Sequence, residues 1–473
     1  MSESEICFMP ATKMVQRIQT GDLSCHDVMK AHLAQIERVN PKVNAIVTRV
    51  PDDELIARAK AADEQLASGK SVGPLHGLPI AHKDLVPTRG IRTTMGSPIF
   101  KDHIPDHDGL IVERLKNAGA ITIGKTNTPE FGAGSQTFND VFGETLNPYD
   151  TTKTCGGSSG GAAVALACGM MPLADGSDMG GSLRNPGNFC NIVGLRPSPG
   201  RVPVWPNEVP WFPIPVQGPM ARTVQDVALM LSVIAGPDPR SPISIAEPGS
   251  LFARSLDRDF KGVRISWSPD LGELPVDPRV TNVLESQRYV FEDLGCIVEE
   301  GQPDFSMADE IFKVWRSWYF ELKLGELLIP HRDLMKDSVV WNIEQGHKLT
   351  GPQLGRAEIK RGELYQCMRE FMQTHEFLIC PVNQVPPFDV NCRWVQEING
   401  VKMETYVDWM KSCYYITVTG LPAISVPCGF TPQGLPVGIQ IVGRHNDDFG
   451  VLQLAHAFER ATGMWARHPT LAQ

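Results

Sequence analysis

The sequence has no apolar run long enough to cross a bilayer. The longest, Ala162 to Ala174, would cover only about 20 Å as a helix against a hydrocarbon core of about 30 Å, so it reads as a buried core helix. The Met1-Ser2-Glu3-Ser4-Glu5 start is acidic and leads into no continuous apolar segment. Neither a secretory signal nor a membrane anchor is expected, and the default location is cytoplasmic. Patterned cysteines are missing too: the eleven present are scattered, with no C-x-x-C pair. That argues against a zinc site or a disulfide framework and for reduced thiols used in packing, and no metal or cofactor is expected. Positive charge is in deficit, with 44 Lys and Arg against 54 Asp and Glu and a net charge of −10. An acidic surface disfavours nucleic acid and anionic membranes as partners and favours a neutral or hydrophobic small molecule. No long polar tract argues for disorder, and no internal repeat is evident.

What is present is an alternation of helical and strand patterns. At 473 residues the chain exceeds the usual single-core limit, so the expectation is two domains or one large α/β domain carrying an insertion. Ser24 with Asp27 resembles a capping box, and Val28, His32, Ile36 and Val39 follow at helical spacing. Leu75 to Val86 reads as a buried strand that presents Lys83 at its end, Leu110 to Lys116 as a helix capped by Gly119, and Ala120 to Ile123 as a strand. Gly119 to Thr126 matches the phosphate-loop pattern G-x-x-x-x-G-K-T. Its context is wrong, because a helix precedes it and the strand lies inside it.

Residues 200–260 are rich in proline and read as surface loops. A strand near Val263–Ile265, a helix from Pro278 to Leu294 and a strand near Cys296–Val298 suggest a further βαβ unit. Residues 305–375 read as helices whose Trp315, Trp318, Tyr319 and Trp341 are expected mainly to pack, with a substrate wall as the lesser option. Leu421–Pro427 and Gly438–Val442 read as two more strands.

The chemistry concentrates in two glycine-serine clusters, Gly156-Gly157-Ser158-Ser159-Gly160-Gly161 and Gly176-Ser177-Asp178-Met179-Gly180-Gly181-Ser182. Glycines let the backbone approach a ligand and adopt positive φ, and serines supply hydroxyls that a base can activate. Ala81-His82-Lys83-Asp84 offers that base. The nearby histidines sit in no G-x-S-x-G elbow, and His82 is expected to be structural.

With Lys83 in a P-I-A-H-K-D setting, G-G-S-S-G-G, and G-S-D-M-G-G-S-L-R 24 residues from Ser158 to Ser182, the chain resembles the amidase signature family of serine hydrolases. The stretches Gly124–Asn127, Asn147-Pro148, Gly194–Pro197 and Gly218–Arg222 also look like that family. The resemblance is strong over 70–230 and thin over 240–400. It implies an α/β fold, an α/β/α sandwich around a large mixed, twisted central sheet, in a single domain over 1–473. Within it, 1–70 would form an N-terminal helical layer, 70–230 the catalytic core, 240–400 a variable, partly helical substrate side, and 400–473 strands and a helix returning to the core.

The same resemblance implies Ser182 as nucleophile, Ser158 as bridging serine after a cis Gly157–Ser158 peptide, and Lys83 as base. To act as a base Lys83 must be neutral, which means lowering its pKa from about 10.4 towards 7, an effect of roughly 4 to 5 kcal/mol that burial can supply. Asp84 should therefore turn away, to backbone or to Arg184. Backbone N–H groups of Met179, Gly180, Gly181 and Ser182 would form the oxyanion hole, supported by Ser159, Asp178 and Arg184. Gly132, Ala133 and Gly134 fall in the loop that lines the family's substrate channel, and Trp205, Trp211 and Phe212 offer apolar walls. The expected activity is hydrolysis of an aryl or hydrophobic acyl amide. Three rival readings stand beside it: carbamate or ester cleavage at the same site, one component of a glutamine-dependent amidotransferase, and a non-catalytic binding protein. Against the amidotransferase stands Trp211–Gln217, where that component carries an S-S-L-D-Q-type stretch. A homo-oligomer stays open.

Overall fold

The helix Cys25–Val43 begins with the Ser24 hydroxyl accepting the Asp27 backbone N–H at 2.9 Å, and it buries Val28, His32, Ile36 and Val39. This one-sided burial is what the helical spacing demands. The N-terminal helices are not peripheral: Val28, Ile36 and Val39, with Met14 and Ile18, belong to the main apolar cluster, which also takes in Leu166, Ile424 and Phe458.

The computed structural model describes residues 1–473 and contains two sheets that matter for the site. The larger has eight strands, in the order Ile297–Glu300, Arg264–Trp267, Phe377–Pro381, Pro436–Val442, Ala423–Phe430, Val193–Arg196, Val216–Ala221 and Leu173–Asp178. The first three run parallel and the remaining pairs antiparallel, which makes the sheet mixed. Strands with both faces covered by helices should be near-continuously apolar, and Pro436–Val442 is buried at every position. The second sheet places Ile121–Thr126 between Ile46–Arg49 and Pro79–Lys83. Its last strand ends on Lys83, against the edge strand Leu173–Asp178 of the large sheet; His82 Nδ1 lies 3.1 Å from Asp175 Oδ1 and joins the two. This is an α/β architecture built on a large mixed sheet.

Several boundaries differ from the sequence reading. The proline-rich region is not loops throughout: Val216–Ala221 is a strand of the large sheet, and Val224–Ile234 is a core helix capped by Thr223, whose hydroxyl accepts the Asp226 N–H. Pro219 is tolerated because the strand is short and paired on one side over only part of its length. The apolar run 162–174 is not one helix. The helix Gly160–Ala167 ends before Gly169 (φ +67°), and the chain returns in the strand Leu173–Asp178. Residues 278–294 form two short helices, Pro278–Glu285 and Arg288–Asp293, and the strand that carries Lys83 starts only at Pro79. Gly119–Thr126 holds the strand Ile121–Thr126, so no helix opens at its Lys-Thr.

The helix Gly160–Ala167 must lie almost against the backbone of the second sheet. A Cβ on Gly161 would sit 2.3 Å from Asn127 N and 2.6 Å from Ala45 O, neither of which can move independently. Gly161→Ala should therefore destabilise the protein by about 2 to 3 kcal/mol, at the upper end of ordinary overpacking. Thermal unfolding should show a clearly lowered midpoint, whereas Gly355→Ala, in open space on the helix Gly351–Thr374, should show none.

Candidate active site

Lys83 is fully buried, and three hydroxyls surround its amine: Nζ lies 2.7 Å from Ser158 Oγ, 2.9 Å from Ser159 Oγ and 3.0 Å from Ser177 Oγ. No carboxylate pairs with it. Burial pushes its amine down to about 7, with the charges of Asp178 and Asp175 pulling weakly the other way. Asp84 turns away: its carboxylate accepts the Thr94 N–H and hydroxyl, and it reaches no arginine. The other buried lysine of these strands, Lys125, bonds to the Val86 carbonyl and to Thr88 Oγ1. His82 is locked between Asp175 and Thr122 and does not reach the cavity.

The first cluster is held by its carbonyls. Ser135 Oγ donates to Gly157 O at 3.0 Å and Thr137 Oγ1 to Gly156 O at 2.9 Å, while the Gly157–Ser158 peptide is cis. The second cluster is held by Asp178. One carboxylate oxygen accepts the Gly181 N–H at 2.9 Å and the other the Leu183 N–H at 3.2 Å, and Arg184 engages both oxygens at 3.0 and 3.1 Å. Arg196 adds a contact at 3.2 Å and also donates to the Asp178 carbonyl at 2.7 Å. Burial alone would raise the Asp178 carboxyl; Arg184 and Arg196 outweigh it and hold it well below the usual carboxylate range.

The turn needs glycine at Gly181, which has φ +113° and whose Cβ would lie 2.6 Å from both Asn185 Nδ2 and Cys413 Cβ. Its N–H is committed to Asp178. The N–H groups of Met179, Gly180 and Ser182 make no hydrogen bond within the protein.

Ser158, Ser182, Asp178 and Met179 line one cavity of about 300 Å³. Its walls come from Leu85, Met95 and Phe131, from the proline-rich segment 204–217, and from the helix Ala308–His331. Of the expected channel residues, Gly132 lines this cavity, and its Cβ would be 3.5 Å from Ser158 Oγ. Ala133 is fully buried in an apolar cluster behind the wall, and Gly134 faces a neighbouring cavity beside Tyr406 and Trp341. Trp211 is 73% exposed and lies off the cavity; its neighbour Phe212 lines it, packed on Trp315, Trp318 and Tyr319 at 5.1 to 5.5 Å between ring centroids.

Two contributors were given no role in the sequence reading: Ser177, quoted there only as part of the second cluster, and Arg316. Ser177 could have been found from the two-residue strand period, which sets it on the face of Asp175. Arg316, among the aromatics of the helix Ala308–His331, also lines the cavity; it stands three and four residues before Tyr319 and Phe320, so helical spacing sets it on their face.

The chain as a whole is similar to known proteins. The family model described as Amidase matches residues 27–452. An acylamidase of Rhodococcus erythropolis is 35% identical over 472 residues, covering 98% of each chain. The A component of the glutamyl-tRNA(Gln) amidotransferase of Geobacillus stearothermophilus is 35% identical over 481 residues, covering 96% of this chain and 97% of that one. A solved bacterial aryl acylamidase of the amidase signature family superposes with a TM-score of 0.91 at 27% identity, over 98% of each chain. The chain belongs to the amidase family, the amidase signature enzymes, and is an amide-hydrolysing enzyme. No helix is long and apolar enough to cross a membrane.

Removing the charge of Asp178 would leave two fully buried guanidiniums without their anion. Asp178→Asn should cost about 3 to 5 kcal/mol, as for other broken buried pairs. It should show as a large fall in thermal midpoint and soluble yield, beyond any effect on turnover.

Proposed function

We propose that the protein hydrolyses amides with an aryl or hydrophobic acyl portion through an acyl-enzyme on Ser182. The observation that carries this reading is Lys83: a buried amine near neutrality, ringed by hydroxyls and free of any carboxylate. A serine hydroxyl is a weak nucleophile until a base accepts its proton, and serine–lysine pairs are a recognised form of that arrangement.

In the proposed sequence, Ser182 Oγ attacks the amide carbonyl while its proton passes to Ser158 and the Ser158 proton passes to Lys83. The carbonyl oxygen, now negative, is met by the free N–H groups of Met179, Gly180 and Ser182, aimed at charge that develops only in the transition state. Asp178 and Arg184 hold the turn, with the Gly181 N–H as one of its ties. The proton then returns through Ser158 to the leaving nitrogen as the carbon–nitrogen bond breaks. Water attacks the acyl-enzyme by the same relay, releasing acid and free Ser182. Ser159 and Ser177 fix the lysine amine. The apolar walls around Phe212, Tyr319 and Phe320 favour a hydrophobic acyl group, and the same route would also open carbamates and esters.

The similarity to the amidotransferase component supports a second reading, in which the chain releases ammonia from glutamine for a partner. Turnover of a simple anilide by the isolated chain without ATP separates the two, since the second reading expects none.

Lys83 acts when neutral, and its neutral fraction grows with pH. Accordingly, kcat/KM should climb with pH through a midpoint of about 7 and level off above it; a flat profile from pH 5 to 9 would rule out the lysine base. Ser182→Ala should lower amine release at least about 10³-fold, as for other serine nucleophiles. An organophosphonate should label Ser182 alone, read by peptide mass spectrometry.

A further inference from the structure

Arg316 projects from the helix Ala308–His331 into the cavity that holds Ser182, and only 5% of the residue is exposed. Of the five donors a guanidinium carries, one nitrogen, Nη2, has a strong acceptor, the Tyr406 hydroxyl at 2.7 Å. Nη1 touches only the Met179 sulfur at 3.9 Å, and Nε has no partner. No carboxylate lies within ion-pairing distance of it. The other charged groups on the cavity wall are already paired, Asp178 with Arg184 and Arg196, and Lys323 with Glu208.

A buried cation without an anion is unfavourable. The rings of Phe320, Phe312 and Tyr406, with centroids 4.6 to 5.8 Å from the Arg316 carbon, offset part of that cost. They supply no acceptor for the free donors. The missing partner is an anion, and the planar fork fits a carboxylate in particular.

We propose that Arg316 reads a carboxylate carried by the substrate, so that the amide cleaved has an apolar body and an acidic group apart from the scissile bond. This rests on the hydrolase reading above. Arg316 is then a specificity residue: it touches the substrate at a distance from the reacting carbon and takes no part in proton transfer. A neutral amide of the same shape enters the same cavity but leaves the guanidinium unpaired and desolvated, so it should bind less well.

The test compares matched substrates by amine release. One pair sets monoanilides of linear dicarboxylic acids against anilides of monocarboxylic acids of equal length, which places the acid on the acyl side. The other sets acyl amides of aminobenzoate against those of aniline, which places it on the amine side. In one pair the acidic member should have a kcat/KM at least about 10-fold above its neutral partner, mostly through KM, and the gap should narrow with added salt. In Arg316→Met that preference should vanish, while Arg316→Lys, which keeps the charge and loses the fork, should retain part of it. Circular dichroism and thermal midpoint confirm that both variants fold, and the wild-type comparison stands without either. No preference for an acid in either pair, or an equal loss on acidic and neutral substrates in Arg316→Met, overturns the proposal. If the wild type turns over neither class, the hydrolase reading itself fails.

Discussion

Asp178 is the point on which the site depends. It closes the edge strand Leu173–Asp178, and its two oxygens gather the Gly181 and Leu183 N–H groups with the guanidiniums of Arg184 and Arg196. Those arginines reach outward in turn. Arg184 also donates to Gln440 of the central sheet at 2.6 Å, and to the Cys413 carbonyl and Thr417 hydroxyl of the helix Lys411–Thr419. Arg196 donates to the Ile214 carbonyl in the segment that walls the cavity. One carboxylate thus couples the turn bearing Ser182 to a neighbouring helix, to the sheet and to the substrate wall. The buried anion itself is met by two cations and two backbone donors, although Arg196 Nε in the same network has no partner; truncating any of these groups would leave a buried charge uncompensated, which is what ties the turn so firmly to its surroundings.

The same economy of charge explains Lys83. Two buried lysines lie on adjacent strands, and they are treated differently. Burial lowers both amines, but Lys125, lowered to about 8 against the pull of Asp84, bonds to the Val86 carbonyl and Thr88 hydroxyl, whereas Lys83 has hydroxyls alone within hydrogen-bonding distance. A hydroxyl can accept from the charged amine or donate to the neutral one, so it does not pin the amine in its charged form as a carboxylate would. Because Asp84 is held by Thr94 and Asp178 by two arginines, the nearby anions act on Lys83 only at a distance. Burial therefore dominates its titration.

Much of this is legible in the residues. The alternating helical and strand patterns indicate an α/β chain, and the clusters around Ser158 and Ser182 locate the part of the fold where the cavity lies. The misreadings have physical causes. Proline density in 200–260 hides the strand Val216–Ala221, because a short, partly paired strand tolerates Pro219. It also masks the helix Val224–Ile234, although the Thr223–Asp226 spacing carries a capping signal. The run 162–174 reads as one helix because apolar composition does not separate a buried helix from a buried strand. Gly169, with its positive φ, and Pro172, which cannot continue a helix, mark the break. Of Trp211 and Phe212, both expected as walls, only Phe212 lines the cavity: which of two adjacent aromatics points inward is decided by the loop path, and here Phe212 meets Trp315, Trp318 and Tyr319.

One wall of the cavity comes from a different part of the chain than its floor, and that division bears on how such a site acquires a substrate. Lys83, Ser158, Asp178 and Ser182 stand on strand ends and turns locked by main-chain contacts. The opposite wall is the single helix Ala308–His331, which presents Arg316, Tyr319, Phe320, Lys323 and Leu324. These positions recur at three- and four-residue intervals, so one helical face supplies them all. The Lys323–Glu208 ion pair and the Phe212 ring tie that helix to the proline-rich segment. A substitution on the inward face alters the wall of the cavity without touching Lys83 or its hydroxyl partners, because no residue of the helix bonds to them. Its link to the floor runs through Met179, whose sulfur meets Arg316 and whose neighbour Gly180 packs on Phe312.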